Sequence, residues 1–298
     1  MAYSSITIIS VPYHVGMYGE RVGEGPLRLL RHGLDQQVAK IAPTHYSDIS
    51  HVDDFEGEIG KTFEVIRRVS KAVSQAVAAN SFPLILAGNC NASVAAAAGL
   101  SSSHPDLGVI WLDAHDDLET PSTHENGYLD GMAASIMTGS SWHKLASTVP
   151  GHVPLALKNV VYGGLRVVAS DQQRVIQEAG VDAVWGSTTK MVDFEAELCA
   201  LLQRRKLGSA HVHLDLDVLD ESLGRVNEYP SAGGFLAEDL KKVMAMIPTQ
   251  VQPTSLVICG FNPRLEGGNT IARLAVQAAR CFVSNLEKNG HLVPKFGN

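Results

Sequence analysis

The sequence has 298 residues, of which 45% are apolar and 18% charged, and its formal net charge at pH 7 is −7. This composition is typical of a soluble globular protein with a sizeable core, and the four cysteines are too few for a disulfide scaffold. The acidic balance, without a basic stretch, disfavours a nucleic-acid partner. No apolar run of about 18 residues predicts a membrane span, and the start of the chain lacks a basic leader, so we expect a cytoplasmic protein.

Apolar segments of strand length alternate with helical segments along nearly the whole chain. The predicted strands are, in order, 7–11, 82–87, 108–112, 159–163, 183–185, 210–214 and 255–260. The predicted helices are 26–39, 61–79, 92–100, 171–179, 194–205, 237–247 and 270–286, with surface loops at 101–105 and 140–154. This alternation predicts an α/β fold, a mainly parallel central sheet with helices on both faces. We expect a single domain over residues 1–298.

Two clusters of acidic residues directly follow predicted strands. They are Asp113, His115 and Asp117 after the third strand, and Asp215 and Asp217 after the sixth. Side chains two residues apart on an extended segment point the same way, which predicts that each cluster shares one face. Either cluster alone is also compatible with a solvated turn, but both fall at the sheet edge where ligands bind. Carboxylates and an imidazole in one pocket require cations, which predicts a two-metal hydrolytic centre that suits Mn(II), Fe(II), Ni(II) or Zn(II).

A third polar turn, Gly88-Asn89-Cys90-Asn91, follows the predicted strand 82–87. With Asp-Ala-His-x-Asp at 113–117 and Asp-x-Asp-x-x-Asp at 215–220, this order of motifs resembles the ureohydrolase (arginase/agmatinase) family over about residues 8–285. The resemblance implies a three-layer α/β/α sandwich with two divalent metal ions, which are Mn(II) in that family. It also implies a homo-oligomer, either a trimer or a hexamer. The activity it implies is hydrolysis of a C–N bond of a guanidino compound, with release of urea or a urea derivative.

The resemblance assigns metal-ligand roles to the two acidic clusters. Asp113 and Asp215 would bridge the metals. Asp117 would complete one site, and His115 with Asp217 would complete the other. Asp117 would also orient the attacking hydroxide, which forms near neutral pH because the metals lower the pKa of water.

Cys90 occupies the position at which the family has a further histidine ligand. Three interpretations stay open: a thiolate ligand that favours a softer metal, a weakened metal site, or a loss of catalysis. Cys90, residues 119–131 and residues 213–217 also resemble the corresponding segments of one branch of the family, the hydroxyarginine hydrolases of cycloserine biosynthesis.

Two other functions remain possible for this scaffold. One is hydrolysis of a formimino or amide group, and the other is ligand binding by a catalytically impaired paralogue.

The same resemblance predicts contacts with a small guanidino substrate. Glu119 and Asn126 take positions that hold the α-amino-acid end of the substrate in arginases, although Glu119 would repel a carboxylate or could point to solvent. Asp239, after the Gly233-Gly234 pair, would pair with the guanidinium, or would belong to the acidic first turn of a helix. Asp130 takes the place of a proton-shuttling histidine and would protonate the leaving group if burial raised its pKa. It could equally cap the helix that follows.

Overall fold

The computed structural model describes residues 2–53 and 57–295 of the chain. Within these residues the chain forms ten strands: β1 (Ser5–Val11), β2 (Tyr13–His14), β3 (Met17–Tyr18), β4 (Thr44–Asp48), β5 (Ser81–Ala87), β6 (Gly108–Leu112), β7 (Val160–Leu165), β8 (Asp182–Trp185), β9 (Ser209–Asp215) and β10 (Gln252–Cys259). Eight strands form one sheet, paired in parallel throughout, in the order β4-β1-β5-β10-β9-β6-β7-β8. The short strands β2 and β3 form a separate antiparallel pair.

The same ranges contain ten α-helices: α1 (Gly25–Arg31), α2 (Leu34–Ala39), α3 (Glu58–Ala78), α4 (Asn91–Leu100), α5 (Ala133–Met137), α6 (His143–Ala146), α7 (Ser170–Glu178), α8 (Phe194–Arg205), α9 (Ala237–Gln250) and α10 (Gly268–Lys288). One buried apolar cluster contains side chains of α1, α2, α8, α9 and α10, and a second contains side chains of α3 to α7. Successive strand residues alternate between the two clusters, as Leu84 and Ile85 do. Helices therefore cover both faces of the sheet, and the predicted three-layer α/β/α sandwich is confirmed.

The central strands consist of continuous apolar runs because both of their faces are covered. Every residue of β5 and of β6 is buried. The long helix α3 instead buries one stripe, which includes Phe63, Ile66 and Val73, and leaves its other side polar. Across residues 2–53 and 57–295, every helix is too short or too polar to span a lipid bilayer.

Three local predictions differ from the structure. The predicted helix 26–39 is two helices, α1 and α2, because Gly33 has a φ of +79° that an α-helix cannot contain. The edge strand β4 was not predicted, because none of its side chains is buried and it lacks an apolar run. The segment 140–154, predicted as a loop, contains the short helix α6.

Four strands, β5, β10, β9 and β6, are neighbours in the middle of the sheet. Because they are parallel, their carboxyl ends lie side by side at one edge. The last strand of the chain, β10, lies between β5 and β9. Residues far apart in sequence are thereby brought together where these four strands end.

Candidate metal centre

The carboxyl ends of the four central strands carry the side chains from which the site is built. Cys90 is the N-cap residue of α4 in the turn after β5, and Cys259 is the last residue of β10. Asp215 ends β9, and Asp113 directly follows β6. Cys90 Sγ lies 3.2 Å from Asp215 Oδ2 and 3.8 Å from Cys259 Sγ. Side chains from four strands therefore meet at one point of the sheet edge.

The donor atoms of these side chains form groups small enough to hold a cation. In one group, donor atoms of Cys90, Asp113 and Asp117 all lie within 4.8 Å of one another. In a second group, the same holds for Asp113, His115 and Asp217. His115 Nδ1 lies 3.4 Å from Asp113 Oδ1 and 3.2 Å from Asp217 Oδ2. Asp113 belongs to both groups, so its carboxylate lies within reach of a cation held by either one.

The acidic clusters converge by turns, and not by the extended alternation predicted from sequence. Strand β6 ends at Leu112, and Asp117 has a φ of +51°, in the left-handed region that only a turn allows. Asp217 lies in a short 3₁₀-helix, Leu216–Val218, that follows β9. The turns also direct backbone N–H groups at the carboxylates. The N–H of His115 donates to Asp113 at 2.8 Å, and that of Asp217 donates to Asp215 at 2.7 Å.

Burial and neighbouring charges control the ionisation of the clustered carboxylates. Burial, reinforced by nearby carboxylates, raises the pKa of Asp117 and of Asp215 well above the usual range. Burial also opposes the ionisation of Asp113, but its contacts with His115 and His213 hold the pKa of its carboxyl below the usual range. Without a cation, some of these groups would therefore take up protons. A divalent cation is the alternative that keeps them ionised together.

The residues present fit a cation site. Asp117 Oδ2 is buried and accepts no hydrogen bond from any residue that the structure describes. The cavity beside it has a volume of about 390 Å³, and its described lining includes nine aspartates and glutamates but neither lysine nor arginine. The clustered carboxylates outnumber their histidine partners, and unpaired buried carboxylates are costly unless a metal ion pairs with them. Oxygen, nitrogen and sulfur donors together suit a borderline transition-metal ion.

Two of the three predicted substrate-binding residues, Glu119 and Asn126, line this cavity. Asp130, the predicted proton donor, lines it as well. Glu119 is half-buried and accepts a hydrogen bond from Thr123 Oγ1 at 2.8 Å. Asn126 is exposed, and its side-chain oxygen accepts the N–H of Tyr128.

The third predicted substrate-binding residue, Asp239, is not among the described residues that line the cavity. Its Oδ2 accepts the backbone N–H of Leu236 at 2.9 Å, at the start of α9. This contact belongs to the acidic first helical turn that the sequence also allowed. The structure therefore does not bring Asp239 together with the other site residues.

Asp130 does not cap the helix that follows it, which was one of its two predicted roles. Its carboxylate instead accepts the backbone N–H of Cys90 at 2.7 Å, the side-chain amide of Asn89, and the hydroxyl of Tyr128 at 3.3 Å. These bonds fix the turn that presents Cys90. Burial raises the pKa of Asp130 to about 6, although the bonds from Asn89 and Cys90 favour its charged form.

Several supporting residues were not identified from the sequence. Trp111 Nε1 donates to Asp113 Oδ2 at 3.0 Å, and the Trp111 ring stacks on the His213 ring with centroids 3.7 Å apart. Asn227 Nδ2 donates to Asp217 Oδ2 at 2.8 Å. In the sequence, Trp111 and His213 stand within buried strands, where their positions predict only core packing. Asn227 lies in a loop without a recognisable motif. Proximity in the fold is the signal that reveals them.

The arginase family model matches residues 4–284 of this chain. The chain is 28% identical over 292 residues to arginase from Bacillus caldovelox, covering 91% of this chain and 95% of that protein. It is 30% identical over 315 residues to arginase-1 from Homo sapiens, covering 97% and 96% of the two chains. The crystal structure of the Bacillus caldovelox arginase superimposes with a TM-score of 0.82 at 25% identity, over 94% of this chain and 98% of that one. The chain therefore belongs to the arginase family, whose members are hydrolases that act on amidino or guanidino C–N bonds.

Proposed function

We propose that this chain is a binuclear metal-dependent amidinohydrolase that cleaves a C–N bond of a guanidino or hydroxyguanidino compound and releases urea or a urea derivative. The observation that carries the proposal is the position of Asp113 in two groups of donor atoms beside one cavity. Membership of the arginase family supports the reaction class. By resemblance to the family, the cations are Mn(II), with Fe(II), Ni(II) or Zn(II) as the other candidates.

The proposed ligands hold the cations and the nucleophile. Asp113, with His115 and Asp217, binds one cation, and Cys90, Asp117 and Asp215 contribute to the other. When bound, two divalent cations supply a water-derived nucleophile near neutral pH. Asp117 Oδ2, which lacks a described hydrogen-bond partner, can accept a proton from that nucleophile and orient it.

Asp130 is the proposed proton donor to the nitrogen that leaves. It lines the cavity, and its pKa of about 6 allows it to hold a proton and to release it near neutral pH. Asn89 and the backbone of Cys90 fix its orientation. The same carboxyl group would therefore position the metal-site turn and take part in proton transfer.

The wall of the cavity favours a substrate tail that is not a lone carboxylate. Glu119, Glu125 and Glu228 line it, and neither lysine nor arginine does so among the described residues. Asn126 can provide hydrogen bonds to a polar tail. A contact between Asp239 and the guanidinium, which the sequence predicts, would require its carboxylate to leave the N–H of Leu236.

We also propose one catalytic domain, a homo-oligomeric assembly of three or six chains, and a cytoplasmic location. These rest on the resemblance to the family and on the composition of the chain. Equilibrium sedimentation of the purified protein measures the number of chains in the assembly.

The test of the activity is urea release by purified full-length protein loaded with Mn(II). The substrates form a panel of guanidino and hydroxyguanidino compounds with carboxylate, neutral and cationic tails, plus formimino and amide analogues. We expect urea from at least one guanidino compound. Asp113→Asn should lower the rate at least about 100-fold, since even outer partners of metal ligands contribute about 10- to 100-fold. The exposed Asp106→Asn variant is the matched control and should keep the rate.

Two outcomes would contradict the proposal. Turnover of formimino or amide compounds, with no release of urea from any guanidino compound, would assign a different hydrolytic reaction to the site. Less than one equivalent of Mn, Fe, Ni or Zn after loading would indicate a ligand-binding paralogue without a metal centre.

A further inference from the structure

A second thiol lies behind Cys90, at the end of the neighbouring strand. Cys259 Sγ is 3.8 Å from Cys90 Sγ and 3.8 Å from Asp215 Oδ2. It is also 3.9 Å from His213 Nε2. Donor atoms of these four residues all lie within 4.8 Å of one another, and all four residues are buried. The family resemblance assigns no role to Cys259 or His213.

The imidazole in this group is held with one nitrogen facing the two thiols. His213 Nδ1 pairs with Ser93 Oγ at 2.7 Å, on the side away from Cys259. Trp111 stacks on the ring with an interplanar angle of 17°. A hydrogen bond to the remote nitrogen and a fixed ring plane are what a metal-binding histidine requires. His213 therefore has the support of a ligand as well as its position.

The spacing of the two sulfur atoms matches a tetrahedral ion. Two sulfur ligands at about 2.3 Å from a tetrahedral zinc ion are separated by about 3.8 Å, and Cys90 Sγ and Cys259 Sγ are 3.8 Å apart. Both cysteines are free, so this separation is not a strained disulfide. The carboxylate of Asp215 and the imidazole of His213 supply the third and fourth donors, which gives a Cys₂HisAsp set.

We infer that the cation beside Cys90 is bound by two sulfur atoms, from Cys90 and Cys259, with His213 and Asp215 as the other ligands. This inference rests on the proposed function, because it concerns one of the two proposed cations. His115 and Asp217 remain with Asp113 as ligands of the other cation, and Asp117 remains beside Cys90 to orient the nucleophile. Because thiolates select softer ions, the Cys90 position prefers Zn(II) to Mn(II), and the centre holds two different metals.

The number of sulfur ligands can be counted with Co(II) as the probe. Chelator-treated full-length protein is titrated with Co(II), whose thiolate complexes absorb in the near ultraviolet in proportion to the number of sulfur atoms bound. We expect Cys259→Ser and Cys90→Ser each to lose about half of the absorbance, and the double variant to lose it all. Cys199→Ser and Cys281→Ser, which change the other two free cysteines, should keep the full signal. In competition experiments, Cys259→Ser should lower the preference for Zn(II) over Mn(II) at least about tenfold.

Retention of the full absorbance by Cys259→Ser would overturn the inference. If that buried variant fails to fold, X-ray absorption at the zinc edge of the unaltered protein decides: two sulfur scatterers per tightly bound zinc support the inference, and one or none rejects it. Urea release is measured on the same samples. Hydrolysis with a single sulfur ligand rejects this inference and leaves the proposed function standing. Two sulfur ligands without any guanidino hydrolysis rejects the proposed function instead.

Discussion

The substitution Gly260→Ala tests whether the position of the Asp215 carboxylate determines metal binding. Gly260 follows β10, has a φ of +77°, and packs directly against that carboxylate. A Cβ atom at residue 260 would lie 2.1 Å from Asp215 Oδ1 and 2.2 Å from Oδ2, whereas such contacts are essentially never shorter than 3.0 Å. The carboxylate would therefore have to move by about 1 Å, which exceeds the roughly 0.2 Å tolerance of a metal–ligand distance.

The expected loss of activity in Gly260→Ala follows from this displacement of the Asp215 carboxylate. An error of about 1 Å in the position of a reacting group costs about 100-fold in rate, and we expect this loss in urea release. We also expect metal affinity to fall, because Asp215 is a proposed ligand. Backbone strain adds a separate cost of about 1–2 kcal/mol in the free energy of unfolding, since alanine disfavours a positive φ.

Gly180→Ala is the matched control for backbone strain. Gly180 has a φ of +64°, is exposed, and has no atom within 4 Å of where a Cβ would lie. Both variants should lose similar stability in urea unfolding, while only Gly260→Ala should lose metal affinity, measured by calorimetry, and activity. If the two variants release urea at rates within about threefold of each other, the steric argument about Asp215 is wrong.

Two further predictions concern the surroundings of the ligands. Burial and neighbouring charges raise the pKa of Asp116 from 3.8 to about 7. Because the folded state disfavours the charged carboxylate, Asp116 destabilises the metal-free protein by up to about 4 kcal/mol above pH 7. Below pH 3.8 the carboxyl group is protonated in both the folded and the unfolded state, and this destabilisation disappears. Asp116→Asn should therefore raise the free energy of unfolding of the chelated protein at pH 8 and leave it unchanged at pH 3.5; equal effects at both pH values would contradict this. Asn227→Ala removes the hydrogen bond to Asp217 Oδ2 and should weaken the binding of one cation about 10- to 100-fold. Unchanged dissociation constants in metal titrations would refute this prediction.

The fold and the acidic clusters were predictable because their signals are local. Continuous apolar strands and helical segments of ordinary length alternate, and this pattern fixes a parallel α/β sheet. The clusters at Asp113 and Asp215 stand directly after two of those strands. Edge strand β4 was missed because none of its side chains is buried, and the break at Gly33 was missed because a backbone φ is not visible in an apolar pattern.

The rest of the site was not predictable because it depends on strand order. Cys259 and His213 occupy positions in predicted strands where an apolar residue is the ordinary interpretation. They become candidate ligands only once β10 is known to lie between β5 and β9. Asp239 illustrates the reverse case: its sequence spacing suggested a substrate contact, while its local partner, the N–H of Leu236, makes it a helix-capping residue.

The central place of β10 has a consequence for synthesis of the protein on the ribosome. Residues 1–250 include β5 and β9 but not the strand that joins them, so a chain of that length has two unpaired strand edges. Pairing across such long sequence separations is slow to form, because loop closure must precede any gain in contacts. A nascent chain would thus remain open, and prone to capture by chaperones or to aggregation, until residue 259 has left the exit tunnel. Metal binding at the proposed centre would then follow the completion of the sheet, and a chain that ends before β10 should bind metal poorly.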